Sequence, residues 1–135
     1  MSVLMGAGDS REAILLAGDH DPCVRRLEAL LGQNGSVKVR VARDGTSGLQ
    51  QARAIHPDIV ITEILMPSLD GLSVCRALKS DPNTQDIPVI VMSVLSAEDR
   101  AREAGADGYL RKPWDDSCAL ELINRLCPTP GAAIQ

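Results

Sequence analysis

Between residues 13 and 126 the chain alternates short apolar runs with stretches in which apolar residues recur every three or four positions. The runs Ala13–Gly18, Val37–Val41, Asp58–Glu63, Pro88–Ser93 and Asp107–Arg111 have the length and β-branched content of strands. Five helices are predicted to follow them in turn. The first opens with Asp21 as N-cap and Pro22 at its first position, then sets Val24, Leu27 and Leu31 on one face. Leu49 and Ala52 mark the second, and Asp70 before Leu72, Cys75 and Leu78 marks the third. Ser96 precedes a short fourth helix near Arg100, and Ala119, Leu122, Ile123 and Leu126 define the fifth.

Such alternation implies right-handed crossovers and a parallel sheet covered on both faces, an α/β, flavodoxin-like architecture. The first, third and fourth strands are nearly continuous apolar runs, as buried central strands are. Val37-Lys38-Val39-Arg40-Val41 alternates and suits an edge, and Tyr109-Leu110-Arg111 suits the other. The expected order is 2-1-3-4-5, with the functional crevice outside the carboxyl ends of the central strands.

At 135 residues the chain has room for one domain, taken as 13–127, with 1–12 read as a flexible leader and 128–135 as a flexible tail. One Trp, one Tyr and no Phe leave the core to aliphatic side chains. A net charge of −4 and few aromatic platforms argue against direct nucleic-acid binding. The absence of a long apolar run argues against a membrane span, and the start lacks an export signal, so a cytoplasmic location is expected. Cys23, Cys75, Cys118 and Cys127 form no C-x-x-C pair and are read as reduced thiols rather than zinc or redox ligands.

The topology gathers the polar strand ends on one rim: Asp19-His20-Asp21 after the first strand, Glu63 after the third, Ser93 after the fourth and Lys112 after the fifth. Carboxylates facing a lysine and a hydroxyl suit a divalent cation and a phosphoryl group. Transition-metal binding by Asp19, His20 and Glu63 is an alternative use of the same cluster.

Ile14-Leu15-Leu16 leading to Asp19-His20-Asp21-Pro22, and Pro57-Asp58-Ile59-Val60-Ile61 with Met66-Pro67 and Asp70-Gly71, resemble the receiver domain of two-component response regulators. The resemblance continues through Ile87-Pro88-Val89-Ile90 with Ser93, Ala104-Gly105-Ala106-Asp107 and Tyr109-Leu110-Arg111-Lys112-Pro113. It implies that Glu63 occupies the position of the phospho-acceptor aspartate and His20 that of a magnesium-binding carboxylate. Asp19, Ser93, Lys112 and the switch aromatic, Tyr109, are retained in type, and the segment from Ser93 to Lys112 is a few residues short.

Those departures lead to an expected pseudo-receiver: a stand-alone protein-interaction module rather than an enzyme, with no required cofactor and weak or absent magnesium binding. Its partner surface would be the fourth helix, fifth strand and fifth helix, in a complex with a signalling protein or a homodimer. Glu63 is expected to offer its carboxylate to Lys112 and Ser93 as a partial phosphoaspartate mimic, or to form a purely structural ion pair. His20, between two aspartates, would supply imidazolium as counter-charge. Trp114 is read either as an interface residue or as an anchor for the fifth helix, and His56 is given no role. The alternatives are a phosphorylatable regulator with a non-standard acceptor and a metal-dependent phosphohydrolase.

Overall fold

The computed structural model describes residues 11–18, 22–32 and 37–127. Five strands and five helices alternate as β1 (Arg11–Leu16), α1 (Pro22–Gly32), β2 (Val37–Ala42), α2 (Gly45–Ile55), β3 (Ile59–Glu63), α3 (Gly71–Ser80), β4 (Val89–Ser93), α4 (Glu98–Glu103), β5 (Gly108–Arg111) and α5 (Asp116–Leu126). All pairings are parallel and the sheet order is β2-β1-β3-β4-β5, as the strand patterns indicate.

Period-two alternation in the central strands sorts their side chains between two cores. Ile14, Leu16, Val60, Val89 and Val91 pack with Leu49 and Ala52 of α2, Leu72, Cys75 and Leu78 of α3, and Ala101 of α4. On the opposite face Ala13, Leu15, Ile59, Ile61, Ile90 and Met92 meet Val24, Leu27 and Leu31 of α1 and Ala119 and Ile123 of α5. Truncating a fully buried leucine, isoleucine or methionine among them to alanine would cost about 2–5 kcal/mol.

Aspartates start three helices. Asp44, Asp70 and Asp115 accept from the backbone N–H of Ser47, Ser73 and Ser117 at 2.7, 2.9 and 3.0 Å, each satisfying a donor the helix cannot. The short α4 has no side-chain cap and begins at Glu98, after Ala97 rather than directly after Ser96. The expected cap at Asp21 lies outside the described residues, as do residues 1–10 and 128–135.

The first strand differs from its sequence reading. It begins at Arg11, so Arg11 and Glu12 belong to the sheet rather than to the leader, and it ends at Leu16 rather than Gly18. Arg11 is only 4% exposed, and its guanidinium donates to the carbonyl of Cys127 at the end of α5. A charged residue broke the apolar run, yet its backbone pairs with Val37 and its head finds an acceptor.

Candidate functional site

Parallel strands deliver the residues after their carboxyl ends to one rim, and there the structure brings together Gly18, Glu63, Ser93 and Lys112. Glu63 ends β3 and turns inward. Its Oε1 accepts from Lys112 Nζ, and its Oε2 accepts from the Gly18 backbone N–H at 3.0 Å. The side chains of Glu63 and Lys112 are 17% and 8% exposed, so the pair is largely withdrawn from water. Lys112 follows β5 and is further positioned by its own N–H, which bonds the Ser93 carbonyl at 2.8 Å; the Lys112–Pro113 peptide is cis.

Gly71 makes this geometry sterically available. A Cβ there would stand 1.8 Å from the Glu63 carbonyl oxygen and 2.8 Å from Thr62 Oγ1, so only glycine lets α3 begin against the end of β3. The Gly71 N–H also bonds the Ile64 carbonyl at 2.8 Å, and Thr62 Oγ1 donates to the Glu63 carbonyl at 2.9 Å.

Ser93 is buried, but it is not a partner of Glu63, contrary to one expected contact. Its hydroxyl accepts from the Leu95 N–H at 3.0 Å, because the chain turns back over it immediately after β4. The Leu95 carbonyl accepts from the Tyr109 hydroxyl, which in turn accepts from the Ala97 N–H at 3.4 Å. The Tyr109 ring is half-buried against the α3–α4 core. Ser93, Leu95 and Tyr109 therefore form one hydrogen-bonded path from the rim to the start of α4.

Trp114 is 9% exposed and packs with the core beneath α1 and α5. Ala119 and Ile123 of α5 belong to the same cluster. Asp19 and His20 lie outside the described residues. Sequence reasoning missed Gly18 and Leu95, because both act through backbone atoms and neither side chain advertises a role. Gly18 had one available signal, its place directly after the apolar run of β1.

The sequence matches the response regulator receiver domain over residues 14–124. The chain belongs to that family. As a receiver it is 42% identical over 116 residues to the response regulator PleD of Caulobacter vibrioides, covering 84% of this chain but 25% of PleD. It is 36% identical over 114 residues to the protein PilH of Pseudomonas aeruginosa, covering 82% of this chain and 93% of PilH. The chain thus spans about a quarter of one relative and nearly all of the other. Among solved structures, the receiver domain of a signal transduction histidine kinase from Syntrophus aciditrophicus superposes with a TM-score of 0.78 at 30% identity, covering 87% of this chain and 90% of that one.

Proposed function

We propose that this receiver is an atypical one, in which Glu63 takes the place of the acceptor aspartate and holds the rim in a fixed state without a phosphoryl group. The observation that carries the reading is the inward carboxylate of Glu63, bonded to Lys112 and Gly18. A carboxylate supplies one negative charge where a phosphoryl group supplies about two, so Glu63 substitutes for it in part. Its extra methylene displaces the oxygens from the position in-line transfer requires, and a misplacement of ~1 Å costs ~100-fold in rate.

The family's magnesium ion is poorly matched by this donor set. His20 offers an imidazole where a hard cation favours oxygen, and both oxygens of Glu63 are already engaged. The half-buried Tyr109, tied to the Leu95 carbonyl, supports an inward state of the switch aromatic. In this reading the domain works in the cytoplasm as a protein-interaction module, its partner meeting α4, β5 and α5.

Incubation with acetyl phosphate and magnesium, followed by intact mass measurement, tests this. The expected result is an unchanged mass. A stoichiometric, base-labile phosphoryl adduct would overturn it in favour of a non-standard acceptor.

A further inference from the structure

The charges of this chain are divided between its two ends. Residues 22–55, which form α1, β2 and α2, hold six of the 14 basic residues and only two of the 18 acidic ones, Glu28 and Asp44. That is a balance of +4, against −8 for the rest of the chain. β2 is the outermost strand, at the opposite end of the sheet from β5, while Arg26 of α1 is paired with Asp116 of α5 at 2.7 Å.

The strand itself carries the pattern. Lys38 and Arg40 are exposed and alternate with the half-buried Val37, Val39 and Val41, which pack on the α1–α5 core. Arg53 is exposed in the last turn of α2, the helix that follows β2. Among the described residues no ion pair engages Lys38, Arg40 or Arg53. The carboxylate nearest by register is Glu12, opposite Lys38 on β1. The outer side of β2 has no strand partner among the described residues, so its outward N–H and C=O groups form an open template.

We infer that the β2 edge receives an acidic, extended segment of a partner protein, which adds as a sixth strand. Main-chain bonds to the open edge supply affinity, and carboxylates at alternate positions meet Lys38 and Arg40. Charge and composition decide against the other occupants. Two copies joined β2 to β2 would bring Lys38 and Arg40 against their own kind, the arrangement that edge cations oppose. A single-stranded nucleic acid would find one Trp, one Tyr and no Phe in the whole chain on which to stack its bases. The surface does not depend on the reading of Glu63, which lies at another part of the sheet.

The test titrates the isotopically labelled full chain with a short blocked peptide of alternating glutamate and threonine. The expected result is amide shifts confined to β2 and its neighbours, slowed exchange of the outward β2 amides, and affinity lowered about tenfold or more in the Lys38→Glu/Arg40→Glu double variant. That variant, altered only at exposed positions, should instead bind a lysine–threonine peptide. The proposal fails if β2 does not respond at millimolar peptide. It fails equally if a single-stranded oligonucleotide or phosphatidylserine vesicles engage Lys38 and Arg40 more tightly than the peptide, or if the double variant abolishes a dimer.

Discussion

Lys112 Nζ reaches over the end of β4 to Oε1 of Glu63, joining the ends of two strands that are not neighbours in the sheet. The pair therefore ties β3 to β5 across the intervening strand. Its net worth is set by how little water reaches it. An exposed pair contributes well under 1 kcal/mol, whereas removing one member of a withdrawn pair forfeits a charge-assisted hydrogen bond.

Glu63→Ala should accordingly lower the unfolding free energy by about 2 kcal/mol, read from urea denaturation. Lys112→Met should recover part of that loss in the double variant, giving a coupling energy of about 1–2 kcal/mol. Additive effects would mean that the pair contributes nothing beyond its separate contacts.

Gly71→Ala should be more damaging than its one added methyl suggests. The new Cβ meets backbone, the Glu63 carbonyl, which cannot swing aside as a side chain could. A loss of about 2–3 kcal/mol is expected, together with displacement of the Glu63 end of β3, seen as shifts of the Ile64 and Glu63 amides.

Tyr109→Phe keeps the ring in the core but deletes the hydroxyl that bonds the Leu95 carbonyl and the Ala97 N–H. A loss of about 1 kcal/mol is expected. Faster amide exchange at Ala97 and in α4, with the remainder of the sheet unchanged, would identify this hydroxyl as the holder of the β4–α4 turn.

Much of this arrangement was readable from residue patterns, for identifiable reasons. The contrast between Val37-Lys38-Val39-Arg40-Val41 and the unbroken apolar runs of β1, β3 and β4 reports burial on one face or both, and burial fixes strand order. The contact of Glu63 with Lys112 followed from placing strand ends on one rim. What escaped were bonds between side chains and distant backbone. Lys79 Nζ bonds the Ile87 carbonyl at 2.7 Å and Asp107 at 2.8 Å, while Asp107 accepts from the Val89 N–H at 2.9 Å. Only the folded register brings those atoms together. Arg11 escaped because buried charge contradicts the apolar pattern by which strands are found.

Asp70 predicts an acid-side loss of stability. Burial raises its pKa, but the backbone and hydroxyl bonds from Ser73 outweigh that and hold it below the ordinary value of 3.8. A lowered folded value means the contribution is present above 3.8 and is lost as pH falls through the folded value. Asp70→Ala should cost about 1 kcal/mol at neutral pH, and denaturation curves of variant and parent should converge as that acid range is crossed.

Cys75 predicts a base-side effect. Burial pushes its thiol up to about 11 from 9.0, against a smaller lowering from Lys79. Its contribution is present below 9.0 and is lost as pH rises toward 11. Iodoacetamide near pH ~8.5 should label exposed Cys118 in the folded chain and reach Cys75 only on unfolding.

The central claim is that a built-in carboxylate, with no phosphoryl group, sets the state of the rim. The most direct measurement is the amide spectrum at Leu95, Ala97 and Tyr109 for the parent chain and Glu63→Gln, each with and without acetyl phosphate and magnesium. The account predicts that Glu63→Gln moves these resonances and that the phosphoryl donor leaves those of the parent in place. A parent chain whose Leu95 and Tyr109 signals shift on stoichiometric phosphorylation, with Glu63→Gln silent in the absence of donor, would contradict it.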